Sequence, residues 1–247
     1  MSSCTERRQL TLLRSAEEKL STGQYQEAAE LLKKILVLNP ESRPAVKALY
    51  KLGFVDETYL KDFDAALFSY QEFIRLSQDN MSIYEVQKRV ANIYFEFKQD
   101  HEKSIEAYKK LISFNPSSVE VDLFQFRIGQ SYFYLNNFEQ ARLEYQQLLE
   151  HFPKSQFASK ARFETGNSYY MEGKYDIAQE ALKQVLRHHG QTEHAIEAQF
   201  LIAQCLELQD KLLAAIQTYE SIRGRYPSKK ILELRISQLT KRLKEKR

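Results

Sequence analysis

Residues 124–153 read FQFRIGQSYFYLNNFEQARLEYQQLLEHFP, and this stretch decides the fold. In its first half Phe126, Ile128, Gly129, Tyr132 and Phe133 follow a helical rather than an alternating pattern. The second half repeats the habit with Phe138, Ala141, Tyr145, Leu148 and Phe152, at steps of 3, 4, 3 and 4. The pattern predicts two amphipathic helices on either side of an Asn136-Asn137 turn. Pro153 stops the second helix, and Ser155 is placed to cap the next one.

The same unit fills the chain. Its small residue recurs as Ala16, Gly53, Ala91, Gly129, Gly166 and Ala203, separated by 37, 38, 38, 37 and 37 residues. A second ladder, Ala28, Ala66, Ser104, Ala141, Ala178 and Ala215, runs in register with it. A third carries Tyr25, Phe63, His101, Phe138, Tyr175 and Leu212. Such a unit buries its apolar face only against its neighbours, so the repeat predicts a solenoid whose function lies on a surface. Gly129 and Ala141 are expected where the two helices of a unit cross, so that Gly166→Leu, at an equivalent place, should open its hairpin. Pro40 then Ser42, Pro116 then Ser118, Pro153 then Ser155, and Gly190 then Thr192 end one unit and start the next.

These residues resemble the tetratricopeptide repeat, a helix-turn-helix unit of 34 residues with a small residue in the first helix, an aromatic and an Ala opening the second, and a terminal Pro. The resemblance spans residues 9–227 and implies an all-α, right-handed solenoid of six such units. Copy two lacks the final Pro, with Gln78 there, and copy three carries His101 and Ser104 where an aromatic and Ala are usual. From each second-helix Ala or Ser to the next first-helix small residue is 25 residues, where the family norm leaves 22. The lengthening therefore falls at the junctions, with one further residue inside copies two and three near 60–62 and 98–100. Long-period repeats with the junction Phe152-Pro153-Lys154-Ser155 are similar to those of bacterial envelope proteins, such as the Tol-Pal-associated coordinator of cell division and the outer-membrane assembly lipoprotein. Residues 1–8 are expected to be disordered. The start Met1-Ser2-Ser3-Cys4 resembles the end of a bacterial lipoprotein signal, which would make Cys4 a lipid-attachment site; an ordinary terminus is the alternative.

Residues 228–247 leave the series. Leu232, Ile236, Leu239 and Leu243 share one helical face, which predicts a helix capping the last unit. This segment holds eight Lys/Arg and two Glu, a charge of +6, against −3 for the remainder. That balance gives no support to nucleic-acid binding along the repeats. No apolar run approaches the roughly 20 residues that cross a bilayer, and residues 1–10 lack the layout of a signal peptide.

Neither a catalytic nor a cofactor motif is present. The nearest approach to a metal cluster is His188, His189 and His194, whose imidazoles would suit Zn2+ or Ni2+ and make a metal-dependent protein the minor alternative, though a polar loop explains them as well. Cys205 reads as a small buried residue. In the family the first helices line a concave groove, and mapping the copies onto it gives Phe126, Phe163 and Phe200 as one aromatic row and Phe95, Phe133 and Tyr170 as another. Lys88, Asn92 and Lys160 occupy three of the five positions with which some members clamp a peptide's terminal carboxylate. The other two hold Arg127 and Glu164, and Glu164 would repel a carboxylate. The sequence therefore predicts a non-enzymatic scaffold that binds a protein or peptide through apolar anchors with basic groups nearby, in a bacterial envelope assembly or, as the second reading, as a cytosolic adaptor.

Overall fold

The computed structural model describes residues 2–190 and 192–246, with side chains from Cys4 onward. These residues form thirteen α-helices and no strand. They fall into two compact units, residues 1–116 and 117–247. The first holds three helical hairpins: α1 (Ser2–Ser21) with α2 (Tyr25–Leu38), α3 (Arg43–Val55) with α4 (Phe63–Leu76), and α5 (Asn80–Asn92) with α6 (His101–Phe114). The second holds α7 (Val121–Tyr134) with α8 (Phe138–His151), α9 (Ala158–Met171) with α10 (Tyr175–His189), α11 (Glu193–Leu208) with α12 (Leu212–Ser221), and then α13 (Lys229–Glu245).

Inside each hairpin the small residue of the first helix faces a bulky side chain four residues after the Ala or Ser of the second. A methyl on Gly53 would lie 2.5 Å from Cε1 of Tyr70, and one on Gly129 would lie 2.5 Å from Cε1 of Tyr145. On Gly166 it would lie 2.5 Å from Cγ of Leu182. The expected close approach is therefore present, with its partner one helical turn beyond Ala141. Leu32, Tyr70, Tyr108, Tyr145, Leu182 and Tyr219 hold this position in the six hairpins, and all are fully buried. Each turn closes on one residue in the left-handed region: Gly23, Lys61, Gln99, Asn136, Gly173 and Asp210. That ladder keeps the 37–38 residue spacing, with glycine supplying the conformation at 23 and 173.

The extra residue of copies two and three is taken up in the helix rather than the turn. After α3 the backbone continues as a π-helical segment, Asp56–Leu60, and after α5 as another, Ile93–Phe97. The amide of Lys61 bonds the carbonyl of Asp56, and that of Lys98 bonds the carbonyl of Ile93 at 2.9 Å. A π turn accommodates one added residue while keeping its carbonyls paired.

Two expectations are corrected. Helix α1 begins at Ser2, so residues 2–8 are helical rather than disordered; Met1 lies outside the described residues. Gln9 shows why the helix is held: it is buried, and its Nε2 donates to the carbonyls of Ile35 and Asn39, both at 2.9 Å. Of the expected caps, Ser42 alone accepts from its own helix, from the Ala45 amide at 3.2 Å. Ser118 and Ser155 accept instead from the amides of Glu120 and Phe157, in the turns ahead of α7 and α9. Thr192 precedes α11 with its hydroxyl on the His189 carbonyl.

Helix α13 buries Leu232, Ile236 and Leu239 against Leu212, Ala215, Ile216 and Tyr219, with Leu243 packed beside them. Its basic residues meet carboxylates of the last hairpin: Arg235 on Glu207 at 3.3 Å, Arg242 on Asp210 at 3.4 Å, and Lys246 on Asp210. The positive charge of this segment thus serves in part to hold the cap. No helix among the described residues is long and apolar enough to cross a membrane.

Candidate partner-binding face

The expected groove residues belong to the first helix of each hairpin, and the structure divides them. In the first unit Lys88 pairs with Glu85 at 3.3 Å and holds its ammonium 5.7 Å from the Tyr84 ring centroid. Asn92 is exposed and accepts the Tyr108 hydroxyl at 2.7 Å. Phe95 is buried, edge-on to His101 and Tyr108, so it is part of the packing and not of the surface.

In the second unit Phe126, expected to be partly exposed, is only 3 % exposed. It stacks on Phe157 with centroids 5.3 Å apart, meets Tyr145 at 5.7 Å, and lies under the Lys160 ammonium at 5.6 Å. The remaining rings are half-buried. Phe133 meets Phe138 edge-on at 5.2 Å, and Phe163 packs against Leu182, Val185 and Ile202. Tyr170 lies against Tyr175, and burial raises its hydroxyl pKa. Phe200 stacks on Tyr226 at 4.4 Å. Arg127 is half-buried, with Nη1 3.4 Å from Oε1 of Gln130. Burial raises the pKa of Glu164, whose carboxylate accepts from Nδ2 of Asn167 at 3.0 Å while the field of Lys160 opposes the shift.

Tetratricopeptide repeat models match residues 89–118, 124–155 and 163–229, together 129 of the 247 residues. The chain is a tetratricopeptide repeat protein. No curated protein matches it. Among solved structures, a tetratricopeptide repeat protein from Parabacteroides merdae is 20 % identical, covering 97 % of this chain and 88 % of that one at a TM-score of 0.58. PilW, a type IV pilus biogenesis factor, is 15 % identical over 92 % of this chain and 97 % of its own, at 0.56. YrrB, a repeat protein with an unusual peptide-binding site, is 16 % identical over 76 % and 89 %, at 0.52. At such identities the likeness is one of fold.

Within residues 117–247 of this tetratricopeptide repeat protein, the most exposed apolar residues of the first helices are ones that the sequence reading missed. Tyr134, Met171 and Leu208 are each 54 % exposed and stand five residues after Gly129, Gly166 and Ala203. They recur every 37 residues at the same place in three successive hairpins, so they form a row beside Phe133 and Tyr170. The period that revealed the small residues would have found them. Next to the row Arg142 bonds Glu172 at 2.8 Å and holds its guanidinium 4.1 Å from the Tyr169 ring centroid, and Lys174 joins the same carboxylate at 3.2 Å. Two cations thus share one carboxylate, which leaves a net positive charge near the row.

The histidines do not assemble into a ligand set. His194 turns its ring toward Phe163 at 6.3 Å, and His188 is exposed. Burial, together with the charge of Arg162, lowers the pKa of His189. A guanidinium that disfavours imidazolium disfavours a metal cation for the same reason. Among the described residues no three His, Cys, Asp or Glu side chains converge to hold a metal; Gln191 of the same loop lies outside them. Cys205 is buried and its thiol is pushed up to about 12, which leaves it protonated and inert at neutral pH. Cys4 is exposed on α1.

Proposed function

We propose that this chain is a non-enzymatic scaffold that binds a peptide segment of another protein on the first-helix face of residues 117–247, within a bacterial envelope assembly. The observation that carries the reading is the exposed row Tyr134, Met171 and Leu208 on a rigid repeated frame. Half-buried Phe133, Phe163, Tyr170 and Phe200 extend the apolar surface inward, and Lys160 and Arg127 supply positive charge beside it. Apolar anchors of this kind give affinity, and flanking charge gives orientation and association rate. YrrB, whose fold is alike, is described by its peptide-binding site, which favours a peptide as occupant.

The test is capture from native lysate, with Met171→Ala and Leu208→Ala compared with the unaltered protein. Each should weaken the captured partner by about 1 kcal/mol or more, with melting unchanged because both side chains are exposed. Phe163→Ala is the poorer probe, since that ring also packs the interior. Full capture by the double variant would move the binding surface elsewhere.

The envelope compartment is supported by the 37–38 residue period and the junction at Phe152-Pro153-Lys154-Ser155. Cys4 is the proposed lipid-attachment site, reachable as an exposed residue. Fractionation of the native cell should place the protein with membranes and Cys4→Ser should release it. A protein found in the cytosol by fractionation favours the adaptor reading and leaves the binding face intact.

A further inference from the structure

Helix α13 caps the last hairpin with Leu232, Ile236, Leu239 and Leu243 and leaves its other side uncovered. At about 100° per residue, that outward flank consists of Lys230, Leu234, Lys241 and Glu245, with Lys244 along one margin and Ile231 along the other. All six are exposed, Leu234 by 56 % and Ile231 by 48 %. Capping uses neither of these two aliphatic side chains, so the packing beneath gives no account of them.

The charge of the flank is not balanced. Of the six residues Glu245 alone is acidic, and it lies 3.9 Å from Lys241. Lys230 and Lys244 have no acidic partner among the described residues, nor does Lys229, exposed at the start of the helix. The arginines are used differently. Arg223 pairs with Glu233 at 3.0 Å, Arg235 with Glu207 and Arg242 with Asp210, all inside the protein. Residues 193–246, the last hairpin with its cap, hold ten Lys/Arg and seven Asp/Glu, so a positive surplus remains after every carboxylate of that hairpin is counted.

We propose that this flank docks on the surface of an anionic lipid bilayer, with Leu234 and Ile231 entering the interface and Lys230, Lys241 and Lys244 lying among the lipid phosphates. Lysine carries a point charge on a long apolar stem, which suits a diffuse negative surface and lets the stem lie beside the apolar pair. Two aliphatic side chains between those lysines distinguish a bilayer from a nucleic acid, whose phosphate backbone offers them nothing apolar. A carboxylate-bearing protein is better matched by the fork of arginine, and both arginines of α13 are already paired. The contact is peripheral and does not depend on the peptide-binding reading.

Sedimentation of the full chain with phosphatidylcholine vesicles containing about 30 % phosphatidylglycerol should show binding at low salt at least about tenfold tighter than to phosphatidylcholine alone, lost by about 0.5 M salt. Lys230→Glu with Lys244→Glu should weaken it about tenfold or more. Ile231→Ser with Leu234→Ser should weaken it about threefold or more. Melting should be unchanged in both, since all four side chains are exposed. The chain contains no Trp, so Leu234→Trp reports the depth of that position without background. Its emission should shift to the blue on the anionic vesicles and stay unshifted with double-stranded DNA. Cys4→Ser, Met171→Ala and Leu208→Ala should bind the vesicles as the unaltered chain does, which separates failure here from failure of the lipid anchor and of the peptide face. No binding to anionic vesicles at low salt would overturn the proposal. So would unweakened binding by the serine pair, or an unshifted Trp emission on bound vesicles, either of which would mark a site for polyanions in general.

Discussion

Hairpins two and four contain the same contact and put its far end to different use. In both, a ring lies against a glycine, Tyr70 on Gly53 and Tyr145 on Gly129. Beyond the glycine the sequences part. Hairpin two continues with Asp56 and Glu57, hairpin four with Tyr132 and Phe133. The Tyr70 hydroxyl accordingly donates to Glu57 at 2.6 Å, and Arg89 of α5 grips the same carboxylate at 2.9 Å. The Tyr145 hydroxyl is buried with no hydrogen-bond partner. Tyr219, Glu207 and Arg235 repeat the arrangement of hairpin two at the other end of the chain, at longer distances. The ring-on-glycine contact sets helix spacing whatever the ring's tip meets. That leaves the neighbouring position available either as a polar latch to the next element or, with Phe133, as apolar surface.

The shared half of this comparison breaks first. Gly53→Leu and Gly129→Leu should each cost about 1–3 kcal/mol or more, because a side chain there displaces a ring fixed between helices. Gly166→Leu should do the same against Leu182. A melting temperature unmoved in any of them would mean that the ladder is misaligned there.

The polar half carries a pH signature. Burial pushes the Asp56 carboxyl up to about 6 from 3.8, with the field of Asp62 adding to the shift and Lys33 opposing it. The folded state thus holds this proton more tightly than the unfolded chain does. The resulting stability is fully present below about pH 4 and lost as pH rises through about 6. Asp56→Asn should therefore stabilise the protein by about 2–3 kcal/mol at pH 7 and show no such gain near pH 4. Denaturant melts at the two pH values check this, and an equal gain at both would place the cause in packing.

The smallest effect is a difference between two tyrosines. Tyr70→Phe removes a hydrogen bond to a charged partner and should cost about 1–2 kcal/mol. Tyr145→Phe removes a buried hydroxyl that bonds nothing and should be neutral or stabilising by up to about 1 kcal/mol. Equal losses in urea would show that Tyr145 has found a partner of its own.

The hairpins were legible because their signals are local and repeated: the small residue, the Ala four residues before the buried ring, and the capping stripe of Leu232, Ile236 and Leu239 all follow helical spacing. The burial of Phe126 was not, because its cover, Phe157, arrives 31 residues later and nothing in the spacing of α7 announces it. Phe95 was lost in the same way to His101 and Tyr108 across the turn. Tyr134, Met171 and Leu208 were within reach of the period, but each directly follows an aromatic or acidic residue, Phe133, Tyr170 or Glu207, which drew the eye inward. The helical start at Ser2 depends on Gln9 meeting carbonyls from the end of α2, a contact that sequence periodicity does not encode.

The π segments bear on how such a chain can change length. A residue inserted in an α-helix turns everything after it by about 100°, which would swing one side of the repeat around to the other. Confined to the π segments that follow α3 and α5, the rotation is spent before the hairpin closes. Tyr59 and Phe97, both exposed, stand six residues after Gly53 and Ala91, whereas Tyr134, Met171 and Leu208 stand five after theirs. The insertion has moved the outward apolar residue by one place in the sequence and kept it at the end of the first helix. A repeat can thus gain a residue and remain in step with its own surface.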